Sequence, residues 1–346
     1  MTEAMETKAM ETEAITIVLP VYGRPALLAQ ALASVLAQSD PGWRLLIADD
    51  HSPEETAAWL QAWRSGPAAD RPVTHRRHDR NRGLFANLNA ALAEVSTPWV
   101  LLLCSDDLLE ANAVADLRRR RQEQPTAELV LSTFDSIAAD GSPRPQESAH
   151  YHDLVSRHTA LLPPERFVPQ LLRLGSLNGN LTGMAFTVAL WRRVGPFRED
   201  WRHAADWEWL ARAAAAGPVL LNRTPIAAVR THGAQLSDAN RRSGHELPEV
   251  AAVVAGLRRH RLLAAEPRRH RWAARLMQFQ LWNLGKRLLA GDRQGVGRDL
   301  AAIDRAAGLA RTALVLLAWL PERWRRYRRG GSARLTSVSP STLSSS

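Results

Sequence analysis

The sequence predicts an α/β protein built on a doubly wound, mostly parallel sheet, with a helical extension at its C-terminus. From residue 15 onward, short apolar runs rich in β-branched residues alternate with amphipathic segments of helical periodicity. Strands and helices that alternate at this spacing form parallel sheets through right-handed crossovers. The chain has 346 residues, of which 45% are hydrophobic and 23% charged. That composition can fill a sizeable core, so it excludes a mainly disordered or fibrous chain.

Residues 15–104 contain four predicted strands and three predicted helices. Pro25 suits the first turn of its helix, because proline lacks the N–H that a first-turn residue leaves unbonded. Ser52 and Glu55 form a capping-box pattern, which predicts a helix that begins there and runs through Trp63. In order, the segments are strand Ile15–Tyr22, helix Pro25–Gln38, strand Arg44–Asp50, helix 52–63, strand Val73–His78, helix Gly83–Val95 and strand Trp99–Cys104.

Residues 112–229 continue the alternation less regularly, and long helices rich in Arg and Leu follow from Glu246. A Gly217-Pro218 pair ends the last amphipathic helix of this part. The predicted segments are helix Asn112–Gln124, strand Glu128–Phe134, a turn-rich connection over Asp140–Pro145, helix Phe167–Leu174, strand Gly183–Val188, helix Asp206–Ala216 and strands Val219–Leu221 and Ile226–Val229.

Polar residues follow the predicted strands at their carboxyl ends, where open α/β sheets bind their ligands. Four separate chain segments therefore deliver polar groups to one rim of the sheet. They are Tyr22 after the first strand, Asp49 and Asp50 after the second, Arg80, Asn81 and Gly83 after the third, and Asp106 and Asp107 after the fourth.

Several classes of protein are excluded by what the sequence lacks. No G-x-G-x-x-G follows the first strand and no phosphate loop of the G-x-x-x-x-G-K type is present, which argues against dinucleotide oxidoreductases and P-loop enzymes. The single cysteine, Cys104, excludes a disulfide scaffold and a cysteine-built zinc site. No run approaches ~18 uninterrupted apolar residues, so no membrane-spanning helix is expected. The N-terminus, which lacks a basic region followed by an apolar run, does not resemble a secretory signal.

The adjacent carboxylates of Asp106 and Asp107 indicate a divalent cation, since Mg²⁺ and Mn²⁺ prefer oxygen ligands and bridge phosphates. The alternative is that Asp106 caps the helix that follows. An Asp-Asp pair at a strand end does not by itself decide between these roles.

The motifs of residues 15–237 resemble the inverting family 2 glycosyltransferases of the GT-A fold. The opening ITIVLPVYGRPALLAQ is similar to the first strand and Pro-x-Tyr loop of that family, here with Pro20 and Tyr22. IADDHS resembles its Asp-Asp-x-Ser strand end, which implies that Asp49 and Asp50 contact the base and ribose of a nucleotide-diphosphate sugar. NRGLFANLN resembles a further donor-binding element, carried by Asn81, Gly83 and Asn89.

The resemblance also implies a Mg²⁺ or Mn²⁺ cofactor, although the motif departs from the usual Asp-x-Asp. Cys104 stands at the first position and Asp106 at the later one, which is the direct metal ligand in the family. Asp107 and His232 are the other implied members of the metal shell. In the family, the aspartate at the first position supports the ribose or the water shell of the metal. The thiol of Cys104 cannot make these contacts well.

RHAADWEWLAR resembles the family's Glu-Asp helix start, with Asp206, Glu208 and Arg212 matching and Ala205 in place of the glutamate. An inverting transfer needs a carboxylate that deprotonates the acceptor hydroxyl, and the resemblance implies Asp206 for this catalytic role. The alternative is that Asp206 is the N-cap of the helix. Trp207 and Trp209 either stack on sugar rings or pack in the interior, and we expect packing for at least one of them.

VRTHGAQLS resembles the family's Arg-x-His followed by a serine, so Arg230 and His232 are expected to face the diphosphate. The polar residues before the predicted strand at 183 are expected to shape the acceptor side; they are Asn178, Gly179, Asn180 and Gly183.

The basic charge is concentrated at the C-terminus. The whole chain carries +10, but residues 251–346 contain 19 Lys and Arg against 5 Asp and Glu, a net charge of +14, so the first 250 residues carry −4. The apolar run 314–320 precedes Pro321 and five arginines between residues 323 and 329. This pattern suits an interfacial helix over 311–329 on an anionic membrane surface, with Trp319, Trp324 and Tyr327 at headgroup depth. The alternative is a solvated helical cap, and no recognised nucleic-acid module accompanies the charge, so no nucleic-acid partner is expected.

The predicted function is transfer of a sugar from a nucleotide-diphosphate donor to a glycan or lipid-linked hydroxyl acceptor with inversion, in bacterial surface polysaccharide or glycolipid assembly. Two alternatives stay open: a sugar-phosphate nucleotidyltransferase and a degenerate, non-catalytic partner subunit. The expected location is the cytoplasm, peripheral to the inner face of the membrane. The expected parts are a disordered N-terminus (1–13), a nucleotide-sugar half (14–110), an acceptor half (111–244), a basic helical region (245–331) and a disordered tail (332–346).

Overall fold

The computed structural model describes residues 14–145, 150–177, 181–232, 240 and 244–328. The expectations for residues 1–13 and 332–346 concern segments outside these ranges. The chain divides into two compact units, and each is described here by itself. The first comprises residues up to Pro164 together with 178–235, and the second comprises 165–177 and 236–346.

The first unit is built on an eight-stranded sheet. Strand β1 is flanked by parallel strands on both sides and is buried along its whole length, which explains its unbroken run of β-branched and aliphatic residues. The sheet order is β3-β2-β1-β4-β9-β6-β10-β8. These strands are β1 (Ile15–Val21), β2 (Trp43–Asp49), β3 (Val73–Arg77), β4 (Trp99–Leu102), β6 (Leu129–Ser132), β8 (Ala160–Leu162), β9 (Met184–Thr187) and β10 (Val219–Asn222).

The sheet is mostly parallel and doubly wound, as the sequence predicted. The pairs β1–β2, β2–β3, β1–β4 and β6–β10 are parallel. Strand β9 runs antiparallel between β4 and β6, and β8 closes the far edge antiparallel to β10. The helices of this unit are α1 (Pro25–Leu36), α2 (Glu54–Ser65), α3 (Leu84–Glu94), α4 (Ala113–Glu123), α6 (Val188–Val194) and α7 (Ala205–Ala216).

A second, three-stranded sheet lies in the same unit, in the order β5-β11-β7. Its strands are β5 (Leu108–Leu109), β7 (Asp135–Ile137) and β11 (Ala227–Arg230). Only the region of β11 was predicted, because strands of two or three residues, such as β5 and β7, are too short to show an alternating pattern. This small sheet places Arg230 beside the turn that follows β4, since the Arg230 N–H donates to Asp107.

The second unit is helical. Its helices are α5 (Pro164–Leu174, in this unit from residue 165), α8 (Glu246–Arg259), α9 (Arg269–Leu289), α10 (Val296–Ala307) and α11 (Leu309–Arg328). Arginines tie them together: Arg258 Nε donates to the carbonyl of Ala306, and Arg287 pairs with the buried Asp299 at 2.9 Å. Among the described residues, no helix combines the length and apolar character needed to cross a membrane.

The capping-box prediction at Ser52 was wrong. Helix α2 begins at Glu54 after Pro53, and no side chain caps it. The hydroxyl of Ser52 instead accepts a hydrogen bond from the N–H of Gly23 at 3.0 Å. A tertiary contact between the loops after β1 and β2 has therefore replaced the local one.

Asp49 holds the loop after β2 and the end of β3 together. Its Oδ1 accepts from the N–H of Ser52 at 2.8 Å, and its Oδ2 accepts from Arg77 at 3.1 Å with His75 Nε2 at 3.5 Å. Burial raises the pKa of this carboxyl, but the contacts with His75 and Ser52 and the charge of Arg77 outweigh it and lower the pKa to about 2.

We predict that Asp49→Asn destabilises the protein in a pH-dependent way. A carboxyl whose pKa is lower in the folded state stabilises the fold above its unfolded-state pKa, and this contribution is lost as the pH falls toward about 2. Urea unfolding at pH 7 should show a loss of about 2 kcal/mol relative to the original protein, and about half of that at pH 3.

The matched control is Asp200→Asn, which removes an exposed carboxylate paired with Arg198. Because solvent screens this pair, its loss should change the free energy of unfolding by under about 1 kcal/mol. A loss for Asp49→Asn that is the same at pH 7 and pH 3 would contradict the ionic role of Asp49.

Candidate functional site

The Asp106–Asp107 turn after β4 is the centre of the candidate site. Asp106 Oδ2 lies 3.0 Å from Nη1 of Arg24 and 3.0 Å from Nε2 of His232. Its side chain is 20% exposed, so it is reachable from solvent while being held from two sides. The expectation that Asp106 caps the following helix is wrong, because Asn112 occupies the N-cap position of α4.

Arg24 reaches Asp106 from an unusual backbone conformation. Gly23 and Arg24 both have left-handed φ angles, 67° and 58°. A non-glycine residue rarely adopts this conformation, and such residues persist where the surrounding structure imposes them. The sequence analysis did not single out Arg24 for the site, since nothing in its local pattern shows that the turn directs its guanidinium to a carboxylate 82 positions away.

Asp107 is buried and is bonded entirely within the protein. The hydroxyl of Thr182 donates to its Oδ2 at 2.6 Å and the N–H of Arg230 donates to its Oδ1 at 2.8 Å. Burial, together with the charge of Asp106, raises its pKa to about 7, against the lowering effect of the Thr182 and Arg230 hydrogen bonds. Thr182, another residue that the sequence analysis missed, also accepts from the N–H of Cys104 at 2.9 Å.

The Cys104 thiol lies in the same cluster, and its ligand atom and those of Asp106 and Asp107 all fall within 4.8 Å of one another. Burial and the charges of Asp107, Asp106 and Asp206 raise the pKa of this thiol well above its ordinary value. A protonated thiol is a poor ligand, and hard cations such as Mg²⁺ and Mn²⁺ select carboxylate and phosphate oxygens. The donor set therefore fits a divalent cation through its carboxylates rather than through Cys104.

Asp206 lies in the first turn of α7 and not at its N-cap. Ala204 is the N-cap residue, and Asp206 Oδ1 accepts from the N–H of Trp207 at 2.8 Å. The alternative of an N-cap aspartate is therefore wrong. The charge of Asp206 is one of those that raise the pKa of the Cys104 thiol, after burial and the charges of Asp107 and Asp106. A helix N-terminus stabilises a negative side chain in this position.

Arg230 was expected to face a diphosphate, but the structure places its side chain inside the protein. It is 1% exposed. Its guanidinium donates to the carbonyl of Asp106 at 2.9 Å, to the carbonyl of Ala139 at 3.0 Å and to Oε1 of Gln30 at 2.8 Å. These contacts hold the Asp106 turn on its buried side.

Asp50 shapes the loop that carries Asn81 and Gly83. Its two oxygens accept from the N–H groups of Arg82 at 2.7 Å and Gly83 at 2.8 Å, and it is 3% exposed. Gly83 has a φ of 87°, a conformation that favours glycine. Asp49, equally buried, holds the neighbouring loop through Ser52.

Pro20 is buried in β1, whereas Tyr22, just beyond the end of that strand, is 56% exposed. An exposed aromatic ring beside the carboxyl ends of β1 and β2 offers a flat surface for a planar ligand. Of the residues expected to shape the acceptor side, Gly183 precedes β9 and has a φ of 83°, while 178–180 lie outside the described residues. The serine that follows the Arg-x-His motif, Ser237, also lies outside them.

The neighbouring motif residues have packing roles. Trp209 is fully buried between Phe186 and Phe197, with ring centroids at 4.7 and 5.0 Å, and Trp207 is also buried. The prediction of packing for at least one tryptophan is therefore confirmed, and stacking of a sugar on Trp209 is excluded by its burial. Arg212 pairs with Glu208 at 2.8 Å and donates to the carbonyl of Pro196, which fixes the segment before α7.

Asn89, which the resemblance picked out, connects α3 to that same segment. Its side chain exchanges two hydrogen bonds with the backbone of Phe197, at 2.8 and 2.9 Å. Sequence alone indicated that this residue matters, but not that its role is to join two distant segments.

Comparison with solved structures shows the GT-A fold. The chain matches residues 1–349 of S. aureus TarS in complex with UDP-GlcNAc with a TM-score of 0.62 and 14% identity, over 93% of each chain. It also matches the mannosyltransferase PcManGT from Pyrobaculum calidifontis in complex with GDP-Man and Mn²⁺, with a TM-score of 0.52 and 18% identity, over 88% of this chain and 86% of that one.

Among curated proteins, the chain is 29% identical over 199 residues to the uncharacterized protein y4gI of Sinorhizobium fredii, covering 57% of this chain and 20% of that protein. It is 28% identical over 129 residues to the succinoglycan biosynthesis protein ExoO of Rhizobium meliloti, covering 37% of this chain and 35% of that protein. These matches thus span only a fifth to about a third of the length of these relatives.

The family model of glycosyl transferase family 2 matches residues 16–194, which is more than half of the chain. These residues include the β1 loop, the Asp49–Asp50 strand end, the Asn81–Gly83 loop and the Asp106–Asp107 turn described above. The chain belongs to glycosyl transferase family 2.

Proposed function

We propose that the protein transfers a sugar from a nucleotide-diphosphate donor to a hydroxyl group of an acceptor, with inversion at the anomeric carbon. One observation carries this proposal: the Asp106 carboxylate, which follows β4, lies 3.0 Å from both Arg24 and His232 and is 20% exposed. A solvent-reachable carboxylate beside a histidine and a guanidinium suits a divalent cation and the phosphates that it binds. The catalytic base that the reaction also requires is assigned to Asp206 on the resemblance of its helix start.

The donor's diphosphate would bind at Asp106. In this proposal Asp106 and His232, whose contact is 3.0 Å, would hold Mg²⁺ or Mn²⁺, and the cation would neutralise the departing diphosphate. Asp107 would orient the turn, because one of its oxygens accepts from Thr182 and the other from Arg230. It would also balance positive charge on the buried side of the turn. Arg24 would exchange its pairing with Asp106 for a phosphate oxygen, because a guanidinium binds both kinds of anion.

The nucleoside would bind at the carboxyl ends of β1 and β2. Tyr22 would offer its exposed ring to the base, supported by the buried Pro20. Asp49 and Asp50 would act chiefly by fixing the backbone of the surrounding loops, so that the loop of Asn81 and Gly83 is held in position to face the donor. The UDP-GlcNAc and GDP-Man complexes of structures with this fold support a donor of this class.

Asp206 would be the catalytic base. It lies in the first turn of α7, where the helix N-terminus favours a negative charge, and a carboxylate there can accept the proton of an attacking hydroxyl. Removal of that proton as the oxygen attacks the face opposite the leaving diphosphate gives inversion. Arg230 would be a positioning residue, because its guanidinium already donates hydrogen bonds to the carbonyls of Asp106 and Ala139 and to Gln30.

The acceptor would be a glycan or lipid-linked glycan of surface polysaccharide or glycolipid assembly. The similarity to a succinoglycan biosynthesis protein supports a polysaccharide setting. An anionic membrane surface would contact residues 311–329, where α11 exposes Leu314 and Leu317 to solvent at 67% and 61%. Trp319, expected at headgroup depth, instead packs against Phe279 and Trp282 of α9.

Donor binding can be tested by thermal melting with a panel of nucleotide sugars, with and without Mn²⁺. A ligand that binds only the folded state at 100 times its Kd adds about 2.7 kcal/mol to the free energy of unfolding. We expect one nucleotide sugar to raise Tm in the presence of Mn²⁺ and the increase to vanish in Asp106→Asn. The loss should be specific to the nucleotide sugar, and the unliganded variant should remain folded.

Absence of binding to every nucleotide would contradict the enzymatic proposal and favour a non-catalytic partner subunit. Release of pyrophosphate from a nucleoside triphosphate and a sugar phosphate would instead identify a nucleotidyltransferase.

Asp206→Asn should lower kcat for transfer by about 10² to 10⁴-fold while leaving the Kd of the donor unchanged within about twofold, because only base catalysis is removed. Transfer is measured with the donor found by melting, and the Kd by calorimetry. Glu208→Gln is the control on the same helix, since Glu208 pairs with Arg212, and its transfer rate should remain within about tenfold. Parallel loss of donor binding in Asp206→Asn would show that Asp206 is structural.

Membrane contact can be tested by flotation of the full chain with vesicles of phosphatidylcholine and phosphatidylglycerol. Leu314→Ser/Leu317→Ser should reduce the floated fraction severalfold, because it removes the exposed apolar surface of α11. The control is Leu288→Ser/Leu289→Ser, which changes two other exposed leucines of the helical unit. Equal flotation of the two variants would contradict contact through residues 311–329.

A further inference from the structure

The helical C-terminal unit contains a cavity of ≈ 510 Å³ between one face of α5 and the first turns of α9. Its side chains come at helical spacing from both helices. They include five arginines and one buried tryptophan: Arg166 and Arg173 on α5, Arg268 just before α9, and Arg271, Trp272 and Arg275 on α9.

Most of this positive charge has no carboxylate partner. Glu266 pairs with Arg268 at 2.8 Å, and Glu165 is the other acidic residue of the lining. Arg173 donates to the neutral side chain of Gln170 at 3.2 Å. Among the described residues, Arg166, Arg271 and Arg275 form no ion pair. Two glutamates against five arginines leave the cavity with a surplus of three positive charges.

Arg275 lies near two other arginines of the lining. Burial and the nearby charges of Arg271 and Arg173 lower the pKa of Arg275, because like charges repel one another. Helix α9 adds to the positive potential, because it has no acidic residue in its first turn and no side-chain cap at Arg268. A cluster of this kind is stabilised when an anion enters it.

The cavity is also prearranged on one side. Trp272 is 8% exposed, and the guanidinium of Arg268 lies 5.1 Å from its ring centroid. The contact between cation and ring, together with the Glu266 pair, fixes the position of Arg268. Arg271 and Arg275 lie on the same helix as Trp272, whereas Arg166 and Arg173 approach the same space from α5, which gives a ligand two walls to bridge.

We propose that this arginine cavity binds a ligand that carries two or more negative charges as linked phosphate groups. A guanidinium binds phosphate through two parallel hydrogen bonds, and several unpaired arginines match a multiply charged anion better than a single carboxylate. The ≈ 510 Å³ of the cavity is many times the ≈ 30 Å³ share of one water molecule, which leaves room for more than one phosphate group. All lining residues belong to the helical unit, so this site goes beyond the donor contacts of the proposed function and does not rest on them.

The proposal is tested by calorimetric titration of the full chain with inorganic pyrophosphate in metal-free buffer containing EDTA. Arg271→Ala/Arg275→Ala should weaken binding at least tenfold. Arg166→Ala/Arg173→Ala, on the opposite wall, should have a similar effect. The control Arg261→Ala/Arg293→Ala removes two exposed arginines of the same unit outside the cavity, and its Kd should change by no more than about twofold.

Each variant is first checked by thermal melting. Because the cavity variants remove mutually repelling charges, their Tm without ligand should equal or exceed that of the original protein. Similar Kd values for cavity and control variants would overturn the proposal. Citrate that binds as tightly as pyrophosphate would overturn the assignment to phosphate.

Flotation with phosphatidylcholine vesicles that contain a polyprenyl diphosphate distinguishes a lipid headgroup from a soluble phosphate ligand. Flotation that requires the polyprenyl diphosphate and is lost in Arg271→Ala/Arg275→Ala assigns the linked phosphates to a lipid. Pyrophosphate binding that is lost in this variant, with flotation unchanged, assigns it to a soluble ligand. Both results support the phosphate site.

Discussion

The candidate site depends on one buried carboxylate. The two oxygens of Asp107 accept hydrogen bonds from the hydroxyl of Thr182, just before β9, and from the backbone N–H of Arg230 in β11. These bonds join the turn after β4 to two segments that are distant in the chain. An uncompensated charge at this depth would strongly destabilise the fold, which is why both hydrogen bonds are needed. The same contacts determine where Asp106 can lie, because it is the preceding residue in the turn. The small sheet therefore contributes to the site through Arg230.

Other polar contacts in the first unit follow the same design. The guanidinium of Arg230 spans from the carbonyl of Asp106 to Gln30 on α1, and Asn89 binds the backbone of Phe197 ahead of α7. Each links α1 or α3 to the Asp106 turn or to the segment that precedes α7. Groups positioned in this way are held by packed strands and helices, which keeps reacting groups in place better than surface loops do.

The sequence predicted the elements that hydrophobic periodicity can mark. The strand regions of β1 to β4 and helices α1, α3 and α7 appeared within a few residues of their positions, since each buries a continuous apolar run or face. Periodicity says nothing about partners distant in the chain, so the roles of Thr182 and Arg24 could not be predicted. Ser52 shows the limit most clearly. Its local pattern favours a helix cap, but its hydroxyl accepts a hydrogen bond from the N–H of Gly23 instead. Local signals fail where a long-range contact is stronger.

The charge distribution illustrates why composition alone does not locate a binding surface. The excess of Arg in the C-terminal unit first suggests one general attraction for anions, but many of these side chains have structural partners. Arg258 binds the carbonyls that end α10, Arg287 pairs with Asp292 and Asp299, and Arg269 binds the carbonyls of the turn before α9. Those arginines are no longer available to a ligand. The surplus that remains after such pairs are removed is confined to particular places, and the cavity between α5 and α9 is one where several unpaired guanidinium groups face the same space.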